Sequence, residues 1–121
     1  MSRKKILIID DEKGFTELIK DVLEETGRYE VKTENEVRNG FLAVKNFCPD
    51  LVLLDVVFPE MDGTSVAVEI KSDEKTKNIP IIFVTGTITP EEATAQGVGG
   101  QFFLSKPVKI KELIKCIDER I

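Results

Sequence analysis

The sequence predicts an α/β fold in which helices cover both faces of a parallel sheet. Short apolar runs alternate with amphipathic stretches along the chain, which is typical of strands and helices that succeed one another around such a sheet. Four runs are apolar throughout, as expected of strands covered on both faces: Ile6 to Ile9, Leu51 to Leu54, Ile81 to Val84 and Phe102 to Leu104. A fifth run, Tyr29 to Thr33, alternates between apolar and polar side chains, which predicts a strand at an edge of the sheet.

The helices are predicted from apolar residues that recur at helical spacing. Four such segments are Phe15 to Leu23, Phe41 to Phe47, Val66 to Lys71 and Ile110 to Ile121. The apolar stripe of the first helix includes Leu18, and we expect the whole stripe to lie in the core. A further helix is predicted to begin at Thr89, where Thr-Pro-Glu-Glu forms a capping box, and to end early at the glycines after Gln96.

Composition limits the class of protein. A chain of 121 residues fits one domain, which we assign to residues 1–121. No apolar run approaches the roughly 20 residues that cross a bilayer, and the run after Lys5 is too short for a signal peptide. We therefore expect a cytoplasmic protein without membrane contact. A net charge of -5 argues against nucleic-acid binding by this chain.

The cysteines do not indicate a zinc site or a disulfide framework. Cys48 and Cys116 lack CxxC spacing, and the chain contains no histidine. We expect both thiols to be reduced and buried, as free cysteines of cytosolic proteins usually are.

Polar side chains follow the apolar runs at the point where each predicted strand ends. Asp10 and Asp11 follow the first strand, Asp55 the third, Thr85 the fourth and Lys106 the fifth. Each residue alone has an ordinary interpretation as a loop, turn, capping or surface residue. Because ligands of open parallel sheets bind beyond the carboxyl ends of the strands, the shared position of all five predicts one pocket.

The chemistry of these side chains points to phosphoryl transfer. Three carboxylates in one pocket repel one another, and protonation or a bound cation relieves that repulsion. A site with few ligands, all of them oxygen atoms, favours magnesium (Mg²⁺) over calcium (Ca²⁺). The Thr85 hydroxyl and the Lys106 ammonium suit the oxygens of a phosphoryl group in transfer. Asp55 is then the candidate nucleophile, since a carboxylate that attacks phosphorus forms an acyl phosphate.

These residues lie in segments that resemble the receiver domains of bacterial response regulators, and the resemblance covers essentially the whole chain. It rests on three segments: Ile6 to Glu12, which resembles the family's first strand with its acidic pair; Asp55 to Gly63, which contains the phosphoacceptor-type Asp followed by Pro and Asp-Gly; and the pair Lys106-Pro107. The resemblance implies a flavodoxin-like (βα)5 fold, a three-layer sandwich around a five-stranded parallel sheet of order 2-1-3-4-5.

The resemblance also implies roles for single residues. Asp55 would be the phosphoacceptor. The implied ligands of Mg²⁺ are Asp11 directly, Asp10 mostly through water, Asp55, and the backbone carbonyl of Val57. Thr85 and Lys106 would contact the phosphoryl group, and Pro107 would set the turn that aims Lys106 inward.

For signalling, the resemblance implies a switch and two kinds of partner. The switch aromatic, often Tyr in the family, is Phe103 here, so its coupling to Thr85 should rest on packing alone. The expected donor is a sensor histidine kinase, a phosphotransfer protein or a small acyl phosphate. A downstream protein or an output domain is expected on the face formed by the helix at Thr89, Phe103 and the last helix. The connection Glu34 to Asn39 is a few residues longer than usual, and the sequence suggests no function for it.

Two alternatives stay open. The first is a pseudo-receiver, a binding module that keeps the fold and signals without phosphorylation, although all five key residues are present here. The second is a phosphatase or phosphotransferase of the haloacid dehalogenase type, which needs a second Asp two residues after the nucleophile, where this chain has Val57.

Overall fold

The sheet has the predicted strands in the implied order. The computed structural model describes residues 3–55, 63–85, 102–105 and 108–121. Its strands are β1 (Lys4–Ile9), β2 (Tyr29–Glu34), β3 (Leu51–Leu54), β4 (Ile81–Thr85) and β5 (Phe102–Ser105). All four pairings are parallel, and the order β2-β1-β3-β4-β5 confirms both the flavodoxin-like topology and the edge position of the alternating strand.

Helices connect these strands where the apolar spacing predicts them. The described helices are α1 (Lys13–Glu25), α2 (Gly40–Phe47), α3 (Gly63–Ser72) and α4 (Ile110–Asp118), and a short 3-10 helix (Val37–Asn39) precedes α2. None of these described helices is both long enough and apolar enough to span a membrane. The helix predicted to begin at Thr89 lies outside the described residues.

Two separate cores, one on each face of the sheet, make the protein a three-layer sandwich. Alternate residues of a strand point to opposite faces, so Ile6 and Ile8 of β1 pack with α1 and α4, whereas Leu7 and Ile9 pack with α2 and α3. All four are at most 1% exposed. This double coverage is the physical reason why the buried parts of the central strands, such as Ile6 to Ile9 of β1, are apolar at consecutive positions.

Two predictions about burial are wrong. Leu18 belongs to the apolar stripe of α1, yet 59% of its surface is exposed. It lines a groove between α1 and the start of α4, beside Val22 and Ile110. The sheet covers a narrower strip of the helix than the stripe provides, so the outermost residue remains in solvent.

The second error concerns Cys48, which is exposed, whereas Cys116 is buried as expected. Cys48 follows the last residue of α2 and has φ of 52°, a left-handed conformation in which its N–H donates to the Val44 carbonyl. A residue in this position turns the chain away from the helix, and its thiol therefore stays outside the core.

A polar clamp joins β2 to α4 at the amino edge of the sheet, away from the strand ends that carry the acidic residues. The Tyr29 hydroxyl donates to Asp118 at 2.6 Å, and Arg28 contacts the same carboxylate at 3.1 Å. Burial of the phenol, reinforced by this hydrogen bond, raises the pKa of Tyr29 to about 12. The same hydrogen bond lowers the pKa of Asp118.

Candidate functional site

Three carboxylates from two connections meet at the carboxyl edge of the sheet. In the parallel register Ile9 of β1 pairs with Leu54 of β3, so the residues that follow them leave the sheet side by side. One carboxylate oxygen each from Asp10, Asp11 and Asp55 lies within 4.8 Å of the others. Asp10 is 1% and Asp55 6% exposed, whereas Asp11 is open to solvent. The structure therefore brings these three predicted site residues together.

Backbone hydrogen bonds hold the two buried acids in place. The Asp55 N–H donates to the Ile9 carbonyl at 3.0 Å, and the Asp10 N–H donates to the Glu34 carbonyl at 3.1 Å. Both bonds extend the strand ladders by one residue. Asp10 Oδ1 in turn accepts the N–H of Glu12 at 3.0 Å, which forms a tight turn just before α1. The positions of both carboxylates therefore follow from the ends of the strands.

Asn35, which follows β2, contacts this acidic turn and was not among the residues that the sequence singled out. Its Nδ2 donates to the Asp10 carbonyl at 2.8 Å and to Thr16 Oγ1 of α1 at 3.1 Å. Thr16 is completely buried. The only sequence signal was the position of Asn35 after the strand that the order 2-1-3-4-5 places next to β1.

The remaining predicted site residues are described only in part. The backbone of Thr85 ends β4 and pairs with Ser105 of β5, at the same edge of the sheet as Asp55. The side chains of Thr85 and Phe103 lie outside the part of the chain that the structure describes. Val57, Lys106 and Pro107 fall outside it altogether, so the roles of all five remain predictions.

The donor set fits a small, hard divalent cation. Carboxylate oxygens are the ligands that Mg²⁺ prefers, and its ligand distance of about 2.0–2.1 Å puts opposite oxygens about 4 Å apart. The oxygens of Asp10, Asp11 and Asp55, within 4.8 Å of one another, need only a small movement to reach this spacing. A cation would also offset the mutual repulsion of the three charges.

Comparison with known proteins assigns the chain to a family. Residues 6–118 match the family model described as the response regulator receiver domain. The chain belongs to this family, as the resemblance of its motifs indicated. It is therefore a domain of phosphorelay signalling rather than an enzyme in the usual sense. This assignment disfavours the alternative that the chain is a phosphatase or phosphotransferase of the haloacid dehalogenase type. Receiver domains typically bind Mg²⁺ at an acidic pocket, and their partners are in general histidine kinases or phosphotransfer proteins.

Individual relatives agree with this assignment. The polar-differentiation response regulator DivK of Brucella anthropi is 32% identical over 116 residues, which are 94% of this chain and 93% of that protein. The signal receiver domain of a DNA-binding response regulator (merR) from Colwellia psychrerythraea has a TM-score of 0.82 at 30% identity, with 96% of each chain covered. The chemotaxis protein CheY4 of Vibrio cholerae, at 24% identity, supports the fold, with a TM-score of 0.84 over 99% of this chain and 100% of that one.

Proposed function

We propose that the chain accepts a phosphoryl group on Asp55, beside a bound Mg²⁺, and then presents an altered face to a partner protein. The observation that supports this most directly is the meeting of Asp10, Asp11 and Asp55, whose oxygens lie within 4.8 Å of one another. The proposed donor is a sensor histidine kinase, a phosphotransfer protein or a small acyl phosphate. The free thiols of Cys48 and Cys116 agree with a reducing compartment, and we propose the cytoplasm.

Among the three carboxylates, Asp55 has the position best suited to a nucleophile. It follows the central strand β3, between the acidic pair after β1 on one side and the end of β4, Thr85, on the other. A carboxylate in that position can contact a cation on the β1 side while its phosphoryl group extends toward β4. Asp10 and Asp11 are less suited because they follow β1, one strand farther from the end of β4.

In the proposed reaction, a carboxylate oxygen of Asp55 attacks the phosphorus atom of the donor. The new P–O bond forms while the bond from phosphorus to the histidine nitrogen or acyl oxygen breaks, and that leaving atom keeps the electron pair. Water later attacks the same phosphorus atom, the P–O bond to Asp55 breaks, and inorganic phosphate leaves. Mg²⁺, held by Asp10, Asp11, Asp55 and the Val57 carbonyl, would neutralise charge on the phosphoryl oxygens.

The proposed output is a shift between two arrangements of the β4–β5 side of the molecule. Thr85 and Lys106 would bind phosphoryl oxygens only in the active arrangement, with Phe103 and Pro107 completing the switch. Reversing a 1:99 equilibrium needs about 5.5 kcal/mol of differential binding, which a few charge-assisted hydrogen bonds supply. The downstream protein or output domain would then bind the face formed by the segment from Thr89, β5 and α4.

The test is the intact mass of the protein after incubation with acetyl phosphate and Mg²⁺. We expect a gain of one phosphoryl group in the wild type and none in Asp55→Asn. Asp50→Asn is the matched control, because Asp50 precedes β3 as Asp55 follows it, and its carboxylate accepts the Lys5 N–H at the opposite edge of the sheet. We expect Asp50→Asn to be phosphorylated, and EDTA to prevent the reaction in both active proteins.

The outcomes separate the hypotheses. An unmodified wild type, beside a receiver domain that is phosphorylated under the same conditions, would refute the phosphoacceptor role and favour a pseudo-receiver. If the Asp55→Asn variant is still phosphorylated, the phosphoacceptor is a residue other than Asp55. Phosphorylation that is indifferent to EDTA would refute the role of the cation.

A further inference from the structure

The connection after β2 is in contact with the acidic turn. The last residue of β2 and the first residue after it both contact Asp10. The Glu34 backbone carbonyl accepts the Asp10 N–H at 3.1 Å, and the Asn35 side chain donates to the Asp10 carbonyl at 2.8 Å. Asp10 is thus held at both its backbone groups from the β2 side.

We infer that Asn35 is a positioning residue for the cation site, which it acts on through the peptide between Asp10 and Asp11. This inference rests on the proposed function. A peptide unit is planar, so a hydrogen bond to the Asp10 carbonyl fixes the plane that also contains the Cα atom of Asp11. Asn35 therefore fixes the position of the Asp11 Cα atom, from which the exposed carboxylate extends into the cluster.

The second contact of Asn35 ties the same amide to the rigid part of the fold. Its Nδ2 also donates to Oγ1 of the buried Thr16, at 3.1 Å, and the Thr16 hydroxyl donates to the Lys13 carbonyl at 3.0 Å. Because the hydroxyl proton of Thr16 is already used, its oxygen is an acceptor for Asn35. One amide group therefore bridges the start of the acidic turn and the first turns of α1, which fixes both ends of the turn.

The orientation of the amide follows from its partners. The Asp10 carbonyl can only accept, and the Thr16 oxygen is oriented to accept, so both require the NH₂ side of Asn35. No hydrophobic side chain can make either bond. Loss of a hydrogen bond of this kind typically changes an equilibrium by about 3- to 10-fold, which sets the expected effect on cation binding.

The test measures Mn²⁺ binding, as a spectroscopic stand-in for Mg²⁺, from the electron paramagnetic resonance signal of the free ion. We expect Asn35→Ala to bind Mn²⁺ about 3- to 10-fold more weakly than the wild type. Asn39→Ala is the matched control, since Asn39 lies exposed in the same connection and its side chain makes no capping hydrogen bond to α2. We expect that variant to bind within about 2-fold of the wild type.

Substitutions at Thr16 separate positioning from a general loss of structure. Thr16→Val should weaken Mn²⁺ binding in the same direction, whereas Thr16→Ser keeps the hydroxyl and should restore it. Because both contacts belong to one bridge, the double variant with Asn35→Ala should bind no worse than Asn35→Ala alone. If Asn35→Ala does not fold, the comparison of Mn²⁺ binding by Thr16→Val and Thr16→Ser tests the inference instead.

A second readout needs no metal. In the metal-free protein, Asn35→Ala should accelerate hydrogen exchange at the amides of Asp10 and Glu12, both of which are hydrogen-bonded in the turn. Exchange at Val52, in the middle of the sheet, should not change.

A folded Asn35→Ala variant with wild-type Mn²⁺ affinity would overturn the inference. Fully additive effects of Asn35→Ala and Thr16→Val would overturn the bridge. A wild-type chain that binds no Mn²⁺ refutes the cation site of the proposed function and, with it, the positioning role, while the exchange rates still decide whether Asn35 orders the turn. Normal Mn²⁺ binding without phosphorylation of Asp55 would instead refute the proposed function alone.

Discussion

Replacement of Asp11 by asparagine should stabilise the metal-free protein and remove its response to Mg²⁺. Asp11 is the exposed member of the acidic cluster, so Asp11→Asn removes a charge without changing a packed side chain. In the metal-free state that charge is repelled by Asp10 and Asp55. With a cation bound, the same charge is attracted to it. The sign of the effect therefore depends on the metal.

The magnitude follows from the separation of the charges. The charges of each pair lie at most 4.8 Å apart. Two unit charges at this limit repel by about 0.9 kcal/mol at the dielectric constant of water, and Asp11 faces two such charges. Salt screening over a Debye length of about 8 Å roughly halves the total. We therefore expect Asp11→Asn to raise the free energy of unfolding at pH 7 by about 1 kcal/mol in metal-free buffer.

Urea unfolding followed by circular dichroism measures this change, because the chain has no Trp and only one Tyr to report by fluorescence. Asp21→Asn, an exposed acid of α1 outside the cluster, is the matched control. Saturation with a ligand at 100 times its Kd stabilises a protein by about 2.7 kcal/mol, so Mg²⁺ should raise the stability of the wild type and of Asp21→Asn and leave Asp11→Asn nearly unchanged. Equal metal-free stability of the two variants would refute the repulsion, and an undiminished response of Asp11→Asn to Mg²⁺ would refute its role as a ligand.

Three further predictions concern the rest of the fold. Tyr29→Phe should lower the free energy of unfolding at pH 7 by about 1 kcal/mol and raise the pKa of Asp118 toward its ordinary value, as urea unfolding and a carboxyl NMR titration would show. Because folding raises the pKa of Tyr29 from 10.0 to about 12, the neutral phenol contributes its full share of the free energy of unfolding below pH 10.0 and loses that share as the pH rises through about 12. The free energy of unfolding of Tyr29→Phe should lack this pH dependence. Leu18→Ala should cost less than about 1 kcal/mol, against about 2–5 kcal/mol for a fully buried leucine, and a larger loss would contradict its exposure. Ellman's reagent should modify Cys48 alone in the native protein and Cys116 only in urea, since burial raises the pKa of the latter thiol; equal native reaction rates would contradict this.

The sequence predicted most reliably what depends on local pattern and on strand ends. The continuous apolar run Ile6 to Ile9 is buried on both faces, and the acidic residues that follow β1 and β3 meet because parallel strands end at one edge. The alternating pattern of Tyr29 to Thr33 predicted the edge strand, and the rest of the strand order came from the family resemblance, since periodicity does not say which of the buried strands pair.

The errors and the omission depend on contacts between distant parts of the chain. Leu18 has the spacing of a core residue, but the sheet covers only part of the apolar stripe of α1 and leaves Leu18 exposed. Cys48 is exposed because the chain leaves α2 in a left-handed conformation there. Asn35 went unnoticed because its partners are a backbone carbonyl and the Thr16 hydroxyl, 25 and 19 residues away in the chain. Neither bond leaves a pattern along the sequence.

The strand order places the acidic cluster between two sides of the sheet, the β2 side and the β4 side, that contact the cluster in different ways. On the β2 side, Glu34 at the end of the strand and Asn35 directly after it bind the N–H and the carbonyl of Asp10. On the β4 side, Asp55 faces the end of a strand whose next residues lead to the proposed switch. A site that binds a cation on one side and changes conformation on the other requires that the first side stay fixed while the second moves. The hydrogen bonds of Asn35 lie on the side that has to stay fixed, so they should affect the affinity for the cation more than the response to phosphorylation.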